Sequence, residues 1–416
     1  MHRSFSRPLA AGFVLIVVSC APNAQIGNGN EGGDTSQGGD GGSEQGGEGG
    51  GGQATQNSAG TSGAAGGKGG SSGGAPGAGN GGNGTTQGTG GAANGGTVGS
   101  AMAGACPTAP PFDEADRTLV ERCTQPLVAA VGNGLRRAFS FDGQTWFGDV
   151  WFPSAGDDQN EESHRDVAIG NGLVVMVGDG GIFISRDAGL TFSKKDTGRS
   201  LHSSAVVFFK GAFVIAAYGG VHTSADGVEW KSWKEDDMLP GGLRASFGAR
   251  DGATDGKKVV FVSGGTYRSY DGETWSQANI AGGGVDSLTF ANGRFAGVGS
   301  DSSAVSTNGS TWSGDSSGSG LRFDTIVWNG TKFFASGSQY DGNAQTSPDG
   351  LAWTRHKMNT PIGPVTMLGD VYVGASAGTL YRSADGRSWT APHKAAGDSN
   401  WGFTRLATGP VLKSSR

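Results

Sequence analysis

Residues 124–416 predict an all-β fold, a ring of seven four-stranded sheets, and three observations carry that expectation. One short pattern, Ser-x-Asp-x-Gly-x-Thr-Trp, often shortened by a residue, recurs seven times. Its third-position residues are Asp142, Asp187, Asp226, Asp271, Asn308, Asp349 and Asp385, spaced by 45, 39, 45, 37, 41 and 36 residues, a period near 40. The stretches between them are short apolar runs broken by Gly-containing turns. A period near 40 built from such runs is the mark of four-stranded units. A unit of this kind cannot bury both faces alone, so seven of them close radially into a seven-bladed β-propeller.

The chain approaches that ring through a different kind of sequence. His2, Arg3 and Arg7 precede the apolar run Leu9 to Val18, ten residues where a membrane-spanning helix needs about 20. Residues 1–19 therefore read as a signal peptide. Val17-Val18-Ser19-Cys20 resembles the lipobox of bacterial lipoproteins, which implies lipidation of Cys20 as the new N-terminus. Ala21 follows it rather than an aspartate, which implies sorting to the outer membrane in a two-membrane bacterium. More than one acyl chain, palmitate among them, makes a stable anchor. Residues 20–105 form a disordered Gly/Ser/Asn-rich tether: residues 24–105 hold 34 glycines and no Phe, Trp or Tyr. Such a segment buries too little apolar surface to offset its ordering entropy. As a coil it spans roughly 50 Å.

Residues 106–123 are a short lead-in. Once Cys20 is set aside, Cys106 and Cys123 remain, 17 residues apart in a chain expected to mature where disulfides persist, and they read as one bridge. Asp113 to Arg122 between them has helical character, acids first and a basic residue last. A catalytic thiol is the rival reading; no His lies near either cysteine in sequence to pair with an acid.

Within the ring, the fifth unit shows the layout. Val285 to Ala291 is one strand, Asn292-Gly293 a hairpin turn, Arg294 to Gly299 the second strand, and Ser303 to Thr307 leads into the repeated turn. The first unit shows only one clear strand, Leu127 to Gly132, before its turn. Its missing partner is supplied by Trp401 to Gly409, which resembles the inner strand Phe323 to Gly330. The C-terminal strand is thus expected to complete the first blade.

The repeated turn resembles the Asp-box of sialidases and other BNR-repeat propellers, over essentially all of residues 124–416. The resemblance implies that Asp142, Asp187, Asp226, Asp271, Asn308, Asp349 and Asp385 are structural, capping a tight turn through backbone N–H groups. The following Gly supplies a permissive φ, and the aromatic wedges between blades. It also implies that these turns lie on the face opposite a ligand site. Sialidase activity does not carry over: no Arg-Ile-Pro motif follows the signal, and none of the six tyrosines has an evident partner glutamate.

Candidates for function lie elsewhere. Counted back from the first hairpins, inner strands start near Arg165, His202, Arg244, Asp286 and Arg322, which read either as a ring of five around the axis, with cations suited to a carboxylate or sulfate, or as solvated residues at loop edges. Trp151, Trp233, Trp328 and Trp401 lie outside the repeated turns and are candidates for stacking on sugar rings or for core packing. Asp179, Asp301 and Asp341 are candidates for the facing carboxylates of a glycosidase. Asp157-Asp158 to Glu161-Glu162 is an acidic loop that reads as solvated rather than as a calcium site. Residues 106–416 carry a net charge of −4, counting Lys and Arg against Asp and Glu, no footprint for nucleic acid. Three cysteines and six histidines show no zinc spacing. These residues point to a membrane-anchored, extracytoplasmic binding or interaction module for a glycan, envelope polymer or protein. A glycoside hydrolase and an assembly or scaffold propeller are the alternatives. No cofactor or metal is expected, and the chain is expected to be monomeric, exported and lipid-anchored on the periplasmic or surface side of the outer membrane.

Overall fold

The computed structural model describes residues 105–150, 163–198, 201–202, 204–279, 284–315, 323–337, 342–394 and 402–413. The signal peptide, Cys20 and the tether up to residue 104 lie outside the described residues. So do Trp151, the acidic loop 157–162, Arg322, Asp341 and Trp401.

Seven sheets of four antiparallel strands make the fold. In blade 5 they are Ser287–Ala291, Arg294–Gly299, Ser302–Ser306 and Ser313–Asp315. The first hairpins turn through left-handed pairs, Asn171-Gly172 in blade 2, Lys210-Gly211 in blade 3 and Asn292-Gly293 in blade 5. Such pairs match the twist of the flanking strands. The first strands of the other blades are His164–Gly170 (blade 2), Ala205–Phe209 (blade 3), Asp251–Thr254 (blade 4), Phe323–Trp328 (blade 6) and Val365–Leu368 (blade 7). Each first strand packs against that of the next blade all the way round, so these seven strands surround the axis.

Blade 1 closes the ring. Its order is Phe403–Leu412, Thr124–Gly132, Arg137–Ser140, Phe147–Val150, so the last strand of the chain supplies the inner position. It pairs antiparallel with Thr124–Gly132 from Thr124↔Leu412 to Gly132↔Phe403, with one irregularity at Val131/Gly132. Gly132 permits this: a Cβ there would sit 2.2 Å from the Gly402 carbonyl oxygen. The fully buried Arg136 places its guanidinium 5.5 Å from the centroid of the Phe403 ring.

The core is divided among the gaps between blades. Seven apolar clusters fill seven gaps, and each contains one aromatic from a repeated turn: Trp146, Phe192, Trp230, Trp275, Trp312, Trp353 and Trp389. Phe192 fills its gap by stacking on Phe139 at 5.8 Å. The gap between blades 7 and 1 has the smallest buried set, Ala130, Ala138, Ala375, Leu380 and Phe403.

Five of the turns share one network, and the longer turn of blade 2 varies it, with Asp187 Oδ1 accepting the Thr191 N–H and the Asp187 carbonyl that of Leu190. In blade 1, Asp142 Oδ1 accepts the N–H groups of Gln144 and Thr145, both at 2.7 Å, and Ser140 Oγ accepts that of Gly143 at 2.8 Å. Asn308 does the same in blade 5, accepting from Ser310 and Thr311. Blade 4 differs: Asp271 still accepts from Glu273 and Thr274, but Ser269 Oγ pairs with Ser276 Oγ instead of the glycine N–H. There the long connection from blade 3 docks on the turn, with Trp275 N–H donating to Pro240 O at 2.8 Å. Gly241 (φ 102°) is required at that contact, since a Cβ would lie 2.2 Å from the Trp275 carbonyl oxygen.

The lead-in is fixed to the ring. Cys106 and Cys123 are disulfide-bonded. The single helix among the described residues, α1 (Arg117–Cys123), starts four residues later than Asp113, where Asp116 caps it by accepting the Leu119 N–H. Phe112 is buried over Gly172, and Glu114 accepts the N–H of Asn171, both in the blade 2 hairpin.

Candidate functional site

The axial face is built from the starts of the first strands and the loops joining second to third strands. Its innermost layer ties blades together. Asp166, buried in His164–Gly170, accepts the Val206 N–H of blade 3 at 2.8 Å and the Val167 N–H at 2.9 Å. Asp251 starts the blade 4 strand and accepts the Leu288 N–H of blade 5 at 2.8 Å and the Ser287 hydroxyl at 2.7 Å. Threonines do similar work elsewhere: Thr325 Oγ1 donates to Val365 O, and Thr366 and Thr408 pair through their hydroxyls.

Charge at the axis is finely balanced. Burial pushes the Asp166 carboxyl up to about 7, and the negative Asp251 adds to the rise; Arg405 and the two N–H donors oppose it. Arg405 belongs to the closing strand yet reaches two other blades, donating to the Arg250 carbonyl at 2.8 Å and to that of Asp324 at 3.5 Å. One cation therefore links blade 1 to blades 4 and 6 across the axis.

Above this layer sits a second set. Arg165 grips Asp179 with two bonds, Nε to Oδ1 at 3.3 Å and Nη2 to Oδ2 at 2.7 Å. His202 of the next blade places Nδ1 2.8 Å from the same Oδ1. Both donors stand outward, with side chains 42% and 63% exposed, while the carboxylate between them is 10% exposed. A recessed acid thus orients two outward donors from different blades. Arg250 pairs with Asp286 through a single contact, from Nη1 to Oδ1.

Of the expected ring, then, Arg165 and His202 come together on Asp179, Asp286 is held by Arg250, and Arg322 lies outside the described residues. Arg244 corrects the expectation. A strand start at Arg244 needs a hairpin at Gly252, but Gly252 lies within Asp251–Thr254 and the turn falls at Gly256. Arg244 instead sits in the connection between blades 3 and 4, paired with Asp236 at 3.0 Å, its carbonyl accepting from Arg268. Arg250 holds the place assigned to it. Trp233 and Trp328 are packing residues: Trp233 lies on the blade 3–4 core beneath Lys231, and Trp328 meets Phe333 edge-on at 4.8 Å. Asp301 occupies a left-handed position in the loop after Arg294–Gly299.

Asp166, Asp251, Asp179, Arg250 and Arg405 are therefore the residues that organise this face. Of these the sequence had singled out only Asp179. The others gain meaning only from partners on different blades, such as Val206, 40 residues from Asp166.

Fold and site together define a seven-bladed β-propeller with a polar axial face. No family model matches the chain, and no curated protein matches it. Solved structures do. It is similar to YCF48 bound to D1 peptide (14% identity, TM-score 0.43, covering 69% of this chain and 89% of that one). It is also similar to the computationally designed Ika8 protein (13%, 0.43, 68% and 95%) and to the WD40 β-propeller domain of Doa1 (12%, 0.42, 62% and 95%). At these identities the likeness is one of fold.

Proposed function

We propose that this chain is a non-catalytic binding module, a propeller held off a membrane by a lipid on Cys20 and the glycine-rich tether. Its axial face takes an acidic ligand of the envelope or its surroundings, a glycan, polymer or protein carrying carboxylate or sulfate groups. The observation that carries this reading is the Arg165–Asp179–His202 arrangement. A nearly buried carboxylate holds two exposed donors outward, the geometry that suits charge-assisted bonds to an oxyanion.

A hydrolase is the second reading, and one observation favours it: Asp166 and Asp251 lie close enough for one to raise the pKa of the other. It ranks second because oxygens of both carboxylates are engaged by backbone N–H groups of neighbouring blades, which is structural work. The test is a screen of residues 106–416 against acidic polysaccharides, acidic peptides and envelope extract, run beside a sugar-release assay. The double variant Arg165→Ala/His202→Ala is expected to lose binding about ten-fold or more, as for charged bonds worth a few kcal/mol. Sugar release that disappears on Asp251→Asn would overturn the reading in favour of the hydrolase.

A further inference from the structure

A cleft of about 330 Å³ opens beside the repeated turn of blade 5. It is lined by Arg294, Val305, Ser306, Thr307, Asn308, Thr311 and Ser313, that is, by one guanidinium, one carboxamide, four hydroxyls and one apolar side chain. No lining residue is an acid. That follows from a single substitution in the repeat: the other six turns place an aspartate where this one has Asn308. The carboxamide preserves the turn, since its Oδ1 still accepts the N–H groups of Ser310 and Thr311 at 2.9 and 2.8 Å. What it removes is the negative charge.

Arg294 is fixed from the neighbouring blade. Its Nη1 donates to the Asp349 carbonyl at 3.1 Å, and its Nε is buried without a partner among the described residues. A guanidinium offers five N–H donors, so most of its capacity is left. Thr307 and Thr311 are exposed at the mouth, with Ser313 alongside. The volume lies at the lower end of ligand pockets, the size of a single sugar ring or smaller.

From these features we infer that the blade 5 turn is a second binding site, distinct from the axial face, for an oxyanion. The group is a carboxylate or sulfate, either free or borne on a saccharide ring. Arg294 supplies the charge, and the hydroxyls of Thr307, Thr311 and Ser313 supply neutral donors. Asn308 keeps the site from repelling its ligand.

Asn308→Asp tests this directly, because six sister turns show that an aspartate folds in that place. Binding of glucuronate, acetate and sulfate to residues 106–416 is followed by NMR titration read at the amides of residues 306–313, so that binding at the axial face is not counted, with the melting temperature as the check on folding. The wild type is expected to bind glucuronate saturably. Asn308→Asp, with its melting temperature intact, is expected to weaken binding about ten-fold or more by like-charge repulsion. Arg294→Ala is expected to abolish it, while Arg165→Ala/His202→Ala leaves it unchanged, separating this site from the axial one. Acetate and sulfate binding as tightly as glucuronate would mark a site for the free ion; preference for glucuronate would mark the saccharide. Equal affinity in wild type and Asn308→Asp, or no saturable binding of any of the three to the wild type, overturns the inference.

Discussion

Single carboxylates in this chain are driven in opposite directions by where their hydrogen bonds come from. Asp385 stands exposed on its turn. The Ser388 N–H foremost, with the Arg387 N–H and the Ser383 and Ser388 hydroxyls, holds it at about 2, against the opposing effect of burial. Its stabilising contribution is present above pH ~4 and lost as pH falls through about 2. Burial sets His164 at about 3 and His222 at about 4, so both fold neutral. The unfolded chain protonates them near 6.5, and stability falls as pH drops below that value. Asp166 works the other way. Its carboxyl at about 7 favours the protonated form in the folded state, so its contribution is full below pH ~4 and lost as pH rises through about 7. Asp166→Asn should therefore gain on wild type between pH 5 and pH 7.5, by on the order of 2 kcal/mol. Thermal or urea melts at the two pH values measure it; a constant difference between the proteins would remove Asp166 as the cause.

At the scale of elements, the lead-in and the turns show what a sequence can and cannot disclose. The disulfide closes a loop of 17 residues on α1, and Lys413 N–H, just past the closing strand, donates to the Cys123 carbonyl at 2.9 Å. Cys106→Ser/Cys123→Ser should lose about 3 kcal/mol of restraint on the unfolded chain. Amide exchange should quicken across 106–123, with Leu127 to Val131 still protected; unchanged exchange in the lead-in would contradict this. The repeat was legible because each turn is self-contained: Ser, Asp and Gly meet within three or four residues, so the pattern survives in a linear reading. The closing strand was legible because inner strands resemble one another. The connection from blade 3 to blade 4 was not. It carries its own small hairpin, with Met238 bridging Arg244, and buries Leu239, Ala245 and Phe247 in the gap between blades. Nothing local marks those residues as packing there rather than beginning a strand, so in a linear reading Arg244 stands where Arg250 belongs. Asp166 and Asp251 escaped for a related reason. An acid near a strand start reads as solvated unless its distant N–H partners are known.

The ring is held mainly by contacts between neighbouring blades, with one core per gap and one seam, and Arg405 adds a link across the axis. Stability is then shared among seven interfaces, and a break at any of them leaves two unpaired faces. The seam between blades 7 and 1 has the fewest large buried side chains, while the adjoining inner strand makes the longest ladder in the ring. Removal of residues 402–416 should abolish the cooperative calorimetric transition of residues 106–416 and promote association through the bared edge of Thr124–Gly132. A truncated chain melting cooperatively near the wild-type temperature would show that the seam carries little. The closing strand also sets an order of events in time. Thr124–Gly132 is among the first ring segments to be made, yet its inner neighbour, Phe403–Leu412, is almost the last. Until that final stretch leaves the ribosome, an early edge must wait open. The finished ring therefore forms only once Phe403–Leu412 has been made, and any factor that shields the waiting edge would govern its yield.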